Sequence, residues 1–228
     1  MDHRPALLRG VRHLALLLTT LAAAACASRS ISDPSLGYGR NRTYAGELSE
    51  FQVVGTEPGD TTQHGDVVLR RGQRLLVVQS GAAFPDERLL GLLGAHFEVG
   101  AASGIPNEAL GREGMRHAAA RGGFDAIVAY WGVLESSERA TPGAVASWVP
   151  IAGWFVPDSK HRVRIRLRAV VVDTETGRWK QLRPAPIEDE RHTSMASREY
   201  VDSDQVEALI GAAAPTLVAL LTSDLGDG

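Results

Sequence analysis

The sequence predicts a single α/β domain built on one mixed sheet, and three observations carry that prediction. Short apolar runs bounded by glycines alternate with helix-length segments between residues 74 and 131. A long segment alternating at period two then turns at Asp173-Thr-Glu-Thr-Gly177 into a partner strand. The chain closes on a stripe at helical spacing: Val206, Leu209, Ile210, Ala213, Leu217, Leu220 and Leu221. The order is strand, helix, strand, helix, strand, hairpin, helix. Strand–helix–strand steps favour parallel pairing through right-handed crossovers, and the hairpin adds antiparallel strands at one edge.

Each element has its own signal. Arg74–Gln79 is apolar and bounded by Gly72 and Gly81, as a buried strand should be. A helix starts at Pro85 with Leu89, Leu90, Leu92 and Leu93 as its apolar positions, and Phe97–Ala101 reads as the second strand. Glu108–Arg121 reads as a longer helix stopped by Gly122-Gly123, a left-handed cap. Phe124–Trp131 is the third strand, and residues 136–159 are expected to form a Pro-punctuated loop. Arg162–Asp173 is the alternating strand, with Arg178–Leu182 as its hairpin partner. A polar irregular stretch precedes the last helix, expected from Asp202 with Gln205 as capping-box partner. Phe51–Val54 reads as a short strand leading into the domain.

Composition narrows the function classes. Of 228 residues, 44% are hydrophobic and 22% charged, with a formal net charge of −3. That is the profile of a packed domain, and it argues against a nucleic-acid partner, which normally demands a basic excess. The one cysteine, Cys26, forms no internal disulfide and no Cys-based zinc site.

Arg4, Arg9 and Arg12 precede an apolar stretch from Leu14 to Ala25, which is too short to span a bilayer but suits a signal peptide. The segment Leu21-Ala-Ala-Ala-Ala-Cys26 resembles a bacterial lipobox, with its leucine further back than usual and Ala23 in its place. The resemblance implies that the Cys26 thiol receives diacylglycerol. Ala27, in place of the Asp that resembles an inner-membrane retention signal, implies sorting to the outer membrane, facing the periplasm. The alternative is an ordinary secretory signal with an incidental cysteine. The expected organisation is a signal peptide over 1–25, a flexible lipid-anchored tether over 26–45 and a periplasmic domain over 46–228. Cleavage would leave 21 basic and 26 acidic side chains.

Three segments carry a family resemblance: Ala-Arg-Gly-Gly-Phe-Asp125-Ala-Ile-Val128, Leu167-Arg-Ala-Val-Val-Val-Asp173-Thr-Glu-Thr-Gly177, and the final amphipathic helix. Together they resemble, over about residues 70–222, periplasmic lipoprotein domains related to the N-terminal domain of TolB. Relatives of that type include the curli secretion lipoprotein, PelC and the activator lipoproteins of penicillin-binding proteins. The resemblance implies an accessory or structural role in an assembly, export or activator complex, with no catalytic residue and no cofactor.

Two stretches stand out as candidate contact surfaces. Trp148, Ile151, Trp154 and Phe155 place large apolar groups in a connection that should be polar. They mark either a membrane or partner contact, a second copy of the chain included, or a segment folded back on the sheet. Arg162, Arg164, Arg166 and Arg168 share one strand face by period two. They form either a strip for an anionic partner or a face neutralised by acids on adjacent strands. The rival classes are an envelope hydrolase of peptidase type and a small-ligand or glycan-binding module. The first would assemble from distant groups such as His161, His192, Glu188 and Asp189, and the second would use the Arg face with Trp131 or Trp179. There is no H-E-x-x-H, no G-x-S-x-G around Ser80 or Ser103 and no phosphate loop.

Overall fold

The computed structural model describes residues 26–33, 46–54, 65–106, 114–140, 159–193, 198–223 and 225. They form strands β1 (Cys26–Ser30), β2 (Arg74–Gln79), β3 (Glu98–Ala102), β4 (Ala126–Ala140), β5 (Ser159–Asp173), β6 (Trp179–Leu182) and β7 (Ile187–Thr193). The helices are α1 (Glu50–Val54), α2 (Glu87–Leu93), α3 (Gly114–Arg121) and α4 (Arg198–Thr222).

The seven strands make one mixed sheet. β2 pairs in parallel with β3 and with β4, as the strand–helix–strand pattern predicts. β4 and β5 are 15 residues each and pair antiparallel throughout, from Ala126↔Asp173 to Ala140↔Ser159. At about 3.3 Å per residue this hairpin is about 50 Å long. Each of its strands therefore has two successive outer neighbours: β2 then β1 along β4, and β6 then β7 along β5.

Alternation on the hairpin sorts the side chains into two cores. Val163, Ile165, Leu167, Ala169 and Val171 face α2 and α4 together with Leu75, Val77, Val128 and Tyr130. Val170 and Val172 face the other way with Leu76, Val78, Ile127, Ala129 and Trp131, under Val53 and Val54 of α1 and Met115 and Ala119 of α3. The first layer runs the length of β5, because α4 reaches His161. On the second face, α1 and α3 pack over the half of the sheet nearer β2, and along the Arg-bearing half of β5 Arg162 and Arg166 are exposed while Arg164 and Arg168 are partly buried. Asp204–Thr222 of α4 is long and apolar enough to cross a bilayer. Its Leu209, Ala213, Leu217 and Leu221 are nevertheless buried in the core, and α4 is a packed helix of this domain.

Local chemistry explains the boundaries. Asp86 caps α2 by accepting from the backbone N–H groups of Arg88 and Leu89. Gly123 has φ +76, the left-handed conformation that ends α3 and favours glycine.

Several expectations are corrected. Residues 50–54 are helical, not a strand: Ser49 N–H donates to Gln52 Oε1 at 2.8 Å and Gln52 N–H to Ser49 Oγ at 3.3 Å, a reciprocal cap that starts a turn of helix. The third strand continues nine residues beyond Trp131 to Ala140, and β5 begins at Ser159, which shortens the expected loop to 141–158. The extension is polar on its exposed face, so it lacks the apolar run that marks a buried strand. The irregular stretch contains β7, whose Glu188 and Glu190 stand opposite Arg164 and Arg162. α4 starts at Arg198, and Gln205 is no capping partner. It is fully buried, with Oε1 3.1 Å from His161 Nδ1. Of the helix expected over Glu108–Arg121, residues 107–113 lie outside the described residues.

Residues 26–33, expected within a flexible tether, form β1 and a turn instead. β1 pairs with β4 from Cys26↔Ser137 to Ser30↔Val133, and Ile31 N–H donates to Gly132 O at 2.9 Å. Ile31 is buried directly over Gly132, where a Cβ would sit 2.5 Å from its Cδ1. Gly132→Val should therefore overpack this contact and lower unfolding stability by about 1–3 kcal/mol, read from the denaturant midpoint. An unchanged midpoint would show that the turn after β1 is not seated on the sheet.

Candidate functional site

The exposed half of the β4–β5 hairpin carries the most distinctive chemistry of the described residues. Period two puts Lys160, Arg162, Arg164, Arg166 and Arg168 on one face of β5. The registers set Ser137, Glu135, Val133 and Trp131 of β4 beside Arg162, Arg164, Arg166 and Arg168, and Glu190 and Glu188 of β7 beside Arg162 and Arg164 on the other flank.

The four arginines are all ion-paired. Glu190 bridges Lys160, at 3.0 Å, and Arg162, whose Nη2 lies at 2.8 Å and Nε at 3.1 Å. Glu135 bridges Arg164 Nε and Arg166 Nε, the latter at 3.3 Å, and Glu188 adds a longer 3.8 Å pairing to Arg164. Arg168 pairs with Glu50 at 2.7 Å and lies over the Trp131 ring, 4.7 Å from its centroid. The strip is thus largely neutralised by acids on adjacent strands and on α1. Exposed pairs of this kind stabilise by roughly 0–1 kcal/mol each, so they fix register more than they hold the fold.

The distant groups that an envelope hydrolase would need do not converge. His161 is buried against Gln205 on the α4 face, and Asp189, which bonds to Arg191, shares that face by register. His192 and Glu188 belong to the opposite face, with Lys160 and Arg164 as register partners. Among the described residues, no group of three or more His, Cys, Asp or Glu side chains is placed to hold a metal ion. Ser80 is buried, and its Oγ accepts the Leu48 N–H at 2.8 Å. The aromatic candidates for glycan stacking are also engaged. Trp131 is 3% exposed and donates Nε1–H to Leu48 O at 2.8 Å, while Trp179 packs at the edge of the second core.

A second polar centre lies at the end of β2. Ser32 Oγ–H donates to Ser80 O at 2.7 Å, Gln79 Nε2–H to Ser32 Oγ at 3.0 Å, and Tyr130 O–H to Gln79 Oε1 at 2.7 Å. Gly104 closes over it, because any Cβ there would stand 1.8 Å from Gln79 O. The pocket beside these groups, lined by Ile31, Tyr130, Leu89, Ala213 and Leu217, holds about 20 Å³, room for about one water. This centre ties the N-terminal segment to the sheet and offers no space for a larger ligand.

Cys26 occupies the first position of β1, and Trp148, Ile151, Trp154 and Phe155 lie outside the described residues. Sequence reasoning offered acids on adjacent strands as one reading of the strip but did not identify them as Glu135, Glu188 and Glu190. Their signal was present, as acids spaced by two at Glu188 and Glu190 beside a strand of arginines spaced by two.

Glu190 titrates far from its ordinary 4.5. The hydrogen bonds from Arg162 and then Lys160 lower its pKa to about 2. Because the folded value is depressed, its contribution to stability is complete above about 4.5 and fades as pH falls toward about 2. Glu190→Gln should abolish a carboxyl NMR titration near pH 2 and flatten acid destabilisation in that window. A Glu190 midpoint at its ordinary value would show that the bridge does not form.

Among the solved structures that this chain resembles, two superpose with low scores. The chain is similar to dodecameric PelC from Paraburkholderia phytofirmans at 13% identity and TM-score 0.26, covering 64% of this chain and 91% of that one. A hypothetical protein of Chlamydia trachomatis matches at 10% identity and TM-score 0.32, covering 67% and 99%. Scores this low carry no argument about fold or assembly. No curated protein matches. The sequence family is decisive: residues 48–223 match the model of the YafT bacterial lipoproteins, and the chain belongs to that family.

Proposed function

We propose that the chain is an accessory or structural lipoprotein with a TolB N-terminal-type domain, anchored in the outer membrane and facing the periplasm. Its work is to bind envelope components within an assembly, export or activator complex. Attachment is at two points: acyl chains on Cys26, and Trp148, Ile151, Trp154 and Phe155 of the 141–158 connection, set against the membrane or a neighbouring subunit.

The observation that supports this reading most is the β1–β4 register. Cys26 stands opposite Ser137, three residues from the end of β4 at Ala140, so the anchor and the aromatic connection leave the same end of the sheet, about 10 Å apart along the strand. A lipid on Cys26 would bring residues 141–158 to the bilayer surface, where tryptophan is favoured because its apolar ring and N–H suit opposite sides of the interface. Several acyl chains at about 0.8 kcal/mol per buried CH₂ supply firm attachment, and the aromatic residues then set orientation.

Two variants separate the contributions. Cys26→Ser should move the protein from the membrane fraction to the soluble periplasmic fraction. Trp148→Ser with Trp154→Ser, made in the unlipidated chain, should weaken vesicle binding or self-association while leaving the melting temperature unchanged. Membrane retention of the Cys26 variant would remove the anchor from this reading, and unfolding of the tryptophan variant would assign the connection to the core.

A further inference from the structure

We propose that the cleft formed by Ser137, Lys160, Arg162 and Glu190 binds the headgroup phosphate of an anionic phospholipid in the membrane that holds the chain. This rests on the reading of Cys26 as the anchor, and it identifies a second, specific contact with the same surface.

Position is the first argument. Ser137 lines the cleft and is the register partner of Cys26, so the cleft opens beside the first residue of the anchored chain. The cleft holds about 170 Å³, smaller than a drug-sized ligand site, so it is read as a place for one headgroup group and not for a whole lipid.

Charge is the second. Along the ladder, Arg164 and Arg166 are balanced by Glu135 and Glu188, and Arg168 by Glu50. At the anchor end one carboxylate, Glu190, serves both Lys160 and Arg162, leaving one positive charge in excess. The excess of positive charge therefore lies at the end of the sheet nearest Cys26.

Donor geometry is the third. Glu190 takes one of the three ammonium protons of Lys160 and two of the five N–H donors of Arg162. The remaining donors and the Ser137 hydroxyl border an open cleft, and ammonium, guanidinium and hydroxyl together suit the tetrahedral oxygens of a phosphodiester.

The test uses the mature chain from residue 26 with Cys26→Ser, which retains every described residue and needs no acylation. Flotation with vesicles of phosphatidylcholine alone and of phosphatidylcholine with phosphatidylglycerol reads the contact. Salt-sensitive binding should appear with phosphatidylglycerol. Lys160→Ala with Arg162→Ala should weaken it by about tenfold or more, as expected for two basic groups at an anionic surface. Glu190→Gln removes the competing carboxylate and should strengthen binding, a change of sign that lost folding would not produce. Equal binding to both vesicle types, equal effects of the two variants, or competition by free glycerol phosphate at vesicle-equivalent concentration would each overturn the proposal, the last by assigning a soluble anion. Failure of the anchor reading would show separately, as a Cys26 without lipid in the mass of the native protein.

Discussion

The hydrogen-bonded centre at the end of β2 is the constraint on which the N-terminal part of the molecule depends. Gln79 and Ser80 are buried where the parallel strands end, and their polar groups must find partners away from water. They find them in Ser32, Tyr130 and the Leu48 backbone, from three separate stretches of the chain. An unpaired buried polar group costs about 1–3 kcal/mol, so displacing the 31–33 turn would leave several groups exposed to that cost at once. With the turn fixed, β1 has one register on β4, and the first residue of the strand stands opposite Ser137.

The long hairpin converts that local constraint into polarity of the whole sheet. Its half beside β2 has helices on both faces and holds most of the buried aliphatic side chains. Its other half has α4 on one face and a ladder of Arg, Lys and Glu on the other, flanked by β1 and β7. The packed core and the charged ladder are therefore divided along one pair of strands.

The apolar parts of this architecture were legible in the sequence. β2, α2 and the Asp173–Gly177 turn follow from apolar runs, helical spacing and glycine placement, and each appears within a residue or two of its expected place. The polar strands were not. β7 is charged at five of its seven positions or carries histidine, and β4 beyond Trp131 presents Glu135 and Ser137 to water, so neither has the hydrophobic signal on which strand reading rests. Their pairing depends on β5, which is distant in sequence. β1 was hidden for a related reason: Cys26-Ala-Ser-Arg-Ser30 lacks an apolar run, and its place is set by the seat of Ile31 over Gly132 and by the hydrogen bonds of Ser32. Gln205 shows the converse error, since a residue type typical of helix caps was committed to a buried histidine.

The central claim is that residues 26–30 form a strand of the sheet and not a free tether. Amide hydrogen exchange tests it most directly. The account predicts that Ile31 N–H and the paired amides of residues 27–30 exchange as slowly as those of residues 133–137 opposite them. Exchange of residues 27–31 at the rate of an unstructured peptide, with 133–137 still protected, would contradict it.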